Sequence, residues 1–125
     1  MLAMSTTETT HRRAIQAPFQ EVAQELQEIL GQRLVAYVAG VRSPRATGRW
    51  ATGQSSPQRF EIEQRVRDLY RVVITLAESE HPETIRAWLL ATNPQLGDRA
   101  PIEQLRDGDS VAVLHAAINF IEATT

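Results

Sequence analysis

Between Val41 and Arg59 the chain reads VRSPRATGRWATGQSSPQR. The stretch holds four arginines, one tryptophan, two Ser-Pro pairs and no acidic residue. Serine before proline marks a helix start: the hydroxyl can accept from free first-turn amides, and proline at the first helical position has no amide to lose. Ser43-Pro44 therefore opens a helix, and Gly53, which tolerates a left-handed backbone, closes it. Gly48 inside that helix costs about 1 kcal/mol relative to alanine. Ser56-Pro57 repeats the signal and predicts that the next helix starts there.

The neighbouring segments are also helical. Upstream, PFQEVAQELQEIL places Phe19, Val22, Ala23, Leu26, Ile29 and Leu30 on one stripe, with Pro18 at the first helical position and Gly31 as terminator. QRLVAYVAG is a second, shorter helix ending at Gly40; Leu34, Val35 and Val38 also fit a strand by composition, and the two alanines weigh toward helix. Downstream, Ile62, Val66, Leu69, Tyr70, Val73, Leu76 and Ala77 form the stripe of a long helix running to about residue 80. HPETIRAWLLATNP opens a further helix at Pro82, with Ile85, Trp88, Leu89 and Leu90 on its inner side, and Asn93-Pro94 breaks it. A helical turn at 102–106 and a last helix from Ser110, with Val111, Leu114, Ile118 and Ile121 as its stripe, complete the chain. The fold class is all-α. Residues 1–17 read as a flexible polar tail, 18–56 as a helix-turn-helix-like region, and 57–125 as the long helix plus a small helical C-terminal region.

Three short helices, the last two joined by the four residues Gly40 to Ser43, have the layout of a DNA-reading helix-turn-helix. Arg42, Arg45 and Arg49 lie three and four residues apart, so they share one face of the third helix, with Thr47 and Gln54 as further polar contacts. Trp50 falls about 100° round from Arg49 and anchors the helix to the core. The plainer alternative is a solvated arginine face on a shape that binds no DNA. Charge weighs for the alternative, because the chain as a whole is net -2. That total hides an asymmetry. Residues 41–67 carry six arginines against two acids, and 68–125 carry four against nine, so the two halves present surfaces for different partners.

Composition removes several chemistries. There is no cysteine, hence no disulfide and no thiolate metal site, and all thirteen basic residues are arginine, hence no P-loop lysine and no Schiff base. No apolar run approaches the roughly 20 residues of a membrane span. Residues 1–18 lack the apolar core of a secretory signal, and the expected location is the cytoplasm. His11, His81 and His115 have no metal-ligand spacing, and Glu61 and Glu63 fall on different helix faces. No catalytic residue, metal or cofactor is expected.

Residues 88–105 read WLLATNPQLGDRAPIEQL. The ordered positions Trp88, Leu89, Asn93, Pro94, Leu96, Gly97, Pro101 and Leu105 resemble the C-terminal domain of the Xre/MbcA/ParS-type antitoxins, and RWATGQSSPQR upstream is similar to the end of that family's helix-turn-helix. The resemblance covers about residues 30–125. It implies an antitoxin of a type II toxin–antitoxin pair, whose partner is a RES-domain toxin that degrades NAD. It also implies that the C-terminal region covers the toxin's active-site entrance, that promoter DNA is a second partner, and that the chain forms a homodimer or a larger hetero-complex. The toxin-binding region it marks contains Trp88, Asn93, Leu96, Gly97, Pro101, Leu105, Ile121 and Glu122. Physical reasoning gives most of these a scaffold role in a tight reversal, so toxin contacts would come from exposed neighbours. The chain departs from the family where Gly97-Asp98 stands for the usual Gly-Gly, and where it reads EATT after the last helix in place of a Gly. The alternative from another class is a stand-alone helix-turn-helix transcriptional regulator.

Overall fold

The computed structural model describes residues 6–124, with side chains from residue 8 onward. These form eight α-helices: α1 (Thr6–Gln16), α2 (Phe19–Leu30), α3 (Gln32–Ala39), α4 (Pro44–Thr52), α5 (Phe60–Leu76), α6 (Pro82–Leu90), α7 (Pro101–Arg106) and α8 (Ser110–Thr124), with a 3-10 turn at Pro94–Leu96. None of them is long and apolar enough to cross a membrane.

The core follows from the apolar stripes. Val22, Ala23, Leu26 and Leu30 of α2 are buried, as their spacing predicts. In α5 the stripe Val66, Leu69, Tyr70, Val73 and Leu76 is buried, and so are Val72, Ile74 and Thr75. From Val72 onward this helix is covered on every side, since α5 packs against α1, α2, α3, α7 and α8. One buried cluster draws residues from all eight helices, including Ala14, Val35, Trp50, Ile85, Ile102 and Val113. The sequence boundary near residue 56 falls in a non-helical link, and both sides of it contribute to that cluster.

Several boundaries and faces differ from expectation. The expected tail is helical over Thr6–Gln16, with Thr10 and Ala14 buried; its first five residues lie outside the described residues. Long-range partners hold α1: Arg13 clasps the Glu25 carboxylate at 2.9 and 2.7 Å, and Arg67 Nη1 donates to the carbonyls of Ala14, Ile15 and Ala17 at 3.0, 3.3 and 2.8 Å. The long helix begins at Phe60, not at Ser56-Pro57, with Arg59 extended at its N-cap. Gln58 and Arg59 are polar and exposed, so an extra turn there would gain little apolar burial. The helix also ends at Leu76, short of residue 80. Leu90 is exposed rather than inward. In α8 the buried residues are Val113, Ala116 and Ala117, while Val111 is 65% exposed. His115, Asn119 and Glu122, spaced i, i+4 and i+7, form the exposed polar stripe of α8, and the buried set lies away from it; small alanines permit close approach of the helix to its neighbours.

Candidate functional site

Two surfaces emerge. The first is on α4. Ser43 and Pro44 start this helix and Gly53, at φ 77°, ends it. Trp50 is buried edge-on against Phe19, with ring centroids 5.7 Å apart, and fixes the helix on α2. Two glutamines of α2 add polar ties: Gln24 donates to the Ala51 carbonyl at 2.8 Å, and Gln27 donates to the Thr47 carbonyl. With its inner face so held, α4 turns Arg45 and Arg49 outward. They line a shallow depression with Gly48, Thr52, Gln54 and Gln32 of α3. Neither arginine is in an ion pair among the described residues.

The structure thus brings together Arg45, Arg49 and Gln54 of the predicted polar set. Arg42 is exposed on the α3–α4 turn but does not line the depression. Thr47 is a correction: it is fully buried, and its hydroxyl donates to the Pro44 carbonyl at 2.7 Å. Two residues from Arg45 is about 200° of helical rotation, which turns Thr47 into the core. Gln32 is the residue that sequence reasoning missed. An added Cβ at Gly48 would lie 2.6 Å from the Gln32 amide nitrogen, the mobile end of an exposed side chain that can swing aside, so this contact does not by itself require glycine.

The second surface is built around the reversal after α6. Asn93 organises it. Its side-chain oxygen accepts from the Gln95 amide at 2.9 Å, its carbonyl accepts from Leu96 and Asp98, and its own amide donates to Arg99 at 3.0 Å. Gly97 and Asp98 both take left-handed backbone, at φ 64° and 62°. Leu96, Pro101 and Leu105 are buried beneath the turn, so they support it and offer nothing to a partner. Outside lie exposed Gly97 and Glu122 and half-buried Trp88 and Ile121. The Trp88 ring meets Phe120 at 6.2 Å, and Asn119 donates to Gln95 at 3.0 Å, tying α8 to the reversal. Phe120 was not singled out from the sequence, where Val111, Leu114, Ile118 and Ile121 make the expected inner stripe of α8. No group of His, Asp or Glu that could hold a metal occurs among the described residues.

No family model matches the chain. Individual proteins do. It is 38% identical over 72 residues to the mycobacterial cidal antitoxin MbcA of Mycobacterium tuberculosis, and to that of Mycobacterium bovis, covering 58% of this chain and 63% of theirs. The chain therefore spans less than two thirds of these relatives' length. It is 34% identical over 80 residues to the probable mycobacterial cidal antitoxin Rv3188 of M. tuberculosis, covering 64% of this chain and 67% of that protein. In three dimensions it superposes on a chain of the crystal structure of the M. tuberculosis MbcT–MbcA toxin–antitoxin complex, with TM-score 0.72 and 30% identity, over 85% of this chain and 96% of that one. Sequence and all-helical architecture agree, and the chain belongs to the mycobacterial cidal antitoxin (MbcA-like) family.

Proposed function

We propose that this chain is the antitoxin of a type II toxin–antitoxin pair and acts without catalysis, by occlusion. Its partner is a RES-domain toxin that degrades NAD, and the region from Trp88 to the end of α8 covers the toxin's active-site entrance. The carrying observation is the likeness over 85% of the chain to a component of a toxin–antitoxin complex. The layout of the C-terminal region supports the reading: a rigid reversal with a half-buried aromatic pair at its edge gives an apolar anchor with a polar rim. The residues offered to the toxin are Trp88, Ile121 and Glu122 with the exposed backbone at Gly97; Asn93, Leu96, Pro101 and Leu105 hold them in place. The test is co-expression with the product of the adjacent gene. Growth and cellular NAD are rescued by this chain if the reading holds. Continued NAD loss in the presence of a folded, co-expressed chain overturns it.

The depression lined by Arg45, Arg49 and Gln54 favours a second activity, promoter binding, either beside the first or as that of a stand-alone regulator. Arg45→Ala with Arg49→Ala separates the two. An antitoxin still neutralises after the double substitution, whereas a regulator loses its only function. A mobility shift that weakens as salt rises identifies phosphate contacts, and no shift at low salt removes the DNA reading.

A further inference from the structure

The depression on α4 is completed by a side chain from another helix. At about 100° per residue, Arg45 and Arg49 stand about 40° apart round α4 and form one row, while Gly48 lies about 60° to the side of Arg45. There α4 presents no side chain of its own. Gln32, the first residue of α3, presents one instead. Its amide nitrogen lies 2.6 Å from where a Cβ on Gly48 would stand, so the amide rests over the bare backbone of α4. Gln32 is exposed, and no hydrogen bond holds its amide among the described residues. Two unpaired guanidiniums and a free amide thus share one shallow depression.

The two kinds of group differ in what they can read. A guanidinium only donates, and it pairs with any phosphate as well as with guanine. A primary amide donates and accepts at once, which matches the N6 donor and N7 acceptor on the major-groove edge of adenine. A phosphate offers no donor to its carbonyl oxygen, and the amide carries no charge to attract one. We infer that Gln32 is a base-reading residue, selecting adenine beside the groups that Arg45 and Arg49 hold. This rests on the DNA reading of the α4 surface and deepens it, because sequence choice is then shared with a helix other than the one that carries the arginines.

The test is selection of bound sequences from a duplex pool with a randomised core, followed by fluorescence anisotropy at fixed salt. The probes are the selected duplex and copies with each adenine replaced. Wild type is expected to prefer adenine at one position by about ten-fold or more, the discrimination of one bidentate base contact. Gln32→Ala is expected to bind that duplex and its adenine-replaced copy within about two-fold of each other. Arg45→Ala with Arg49→Ala is expected instead to weaken binding to both. Gly48→Ala is expected to lose the adenine preference while melting at a higher temperature, since the new Cβ pushes the amide aside and alanine favours the helix. A loss caused by misfolding would lower the melting temperature. Wild type that binds duplex without selecting adenine, or either Gln32→Ala or Gly48→Ala keeping the preference, overturns the assignment and leaves DNA binding standing. Wild type that binds no duplex at low salt overturns both.

Discussion

Arg65, Arg67 and Arg86 each donate to carbonyls at the C-terminal end of a neighbouring helix: Ala39 of α3, Ala14 and Ile15 of α1, and Ile29 of α2. A helix end carries unpaired carbonyls and partial negative charge, so a guanidinium there satisfies both. Arg67 is itself held by Glu63 at 2.8 Å. Charged hydrogen bonds of this kind are worth about 1.5–3 kcal/mol each at most, and less when exposed. Arg67→Met is expected to destabilise the chain by about 2 kcal/mol and to release α1 first, read as faster amide exchange over Thr6–Gln16 than over α5. Asp98 shows the opposite situation. It stands in left-handed backbone where its relatives were expected to carry glycine, a conformation that costs a non-glycine residue about 1 kcal/mol. Asp98→Gly is expected to raise the melting temperature by a few degrees; an unchanged or lower value removes the strain argument. Tyr70 carries a pH prediction. Burial, followed by its hydrogen bond to Glu25 at 2.7 Å, pushes its pKa up to about 12. A tyrosine in the unfolded chain ionises near about 10, so the stabilisation from keeping this phenol neutral is complete below about pH 10 and is lost as pH rises through about 12. Thermal melts from pH 9 to about 12 should fall more steeply for wild type than for Tyr70→Phe.

Among the elements, α4 and α8 teach different lessons. Most local signals in α4 agree, with a Ser-Pro start, a left-handed glycine stop and one tryptophan to bury, although Gly48 weakens the helix and Ser43 makes no side-chain cap bond. Its stability still rests on Trp50 against Phe19, because a nine-residue helix does not persist alone. Trp50→Ala is expected to cost about 3–5 kcal/mol, measured by denaturant unfolding, with Arg45 and Arg49 losing their fixed spacing. A loss below about 1 kcal/mol would mean that α4 is held by Gln24 and Gln27 alone. In α8, by contrast, Val111, Leu114, Ile118 and Ile121 satisfy a helical stripe, and so do Val113, Ala116 and Ala117. The second set is the buried one. Exposed His115, Asn119 and Glu122, at i, i+4 and i+7, mark the outer face, and the stripe Val111, Leu114, Ile118 and Ile121 runs beside that polar strip rather than through the core.

At the scale of the whole molecule, the charge asymmetry of the sequence becomes a smaller and sharper feature. The segment 41–67 counts six arginines, but Arg65 and Arg67 are occupied as helix caps. Of the other four, Arg45 and Arg49 line the depression, Arg42 is exposed on the α3–α4 turn, and Arg59 lies at a separate hollow with Gly40 and Glu61. Few phosphate contacts give a shallow salt dependence, so a monomer should bind DNA with a slope in log K against log salt of about -2 to -3, and a dimer about twice that. Measuring that slope for wild type and for Arg45→Ala with Arg49→Ala checks the basic surface. A slope that is steep in the monomer would place phosphate contacts elsewhere on the chain.

The all-helical class, the start and stop of α4, the opening of α6 and the break at Asn93-Pro94 were legible in the sequence alone. Each depends on chemistry carried within a few residues: a proline without an amide, a glycine free to turn left-handed, an apolar repeat matching 3.6 residues per turn. The family resemblance was legible for the same reason, since the reversal from Trp88 to Leu105 is a local motif. Tertiary structure alone decided that Thr6–Gln16 is a docked helix and that Arg67 is a cap, whereas the inward turn of Thr47 and the inner side of α8 follow from helical rotation once Arg45 and the polar stripe His115, Asn119 and Glu122 are placed outside. The docked helix and the cap depend on partners 12 and 53 residues away, Glu25 for Arg13 and Ala14 for Arg67, and no local pattern records a partner at that distance.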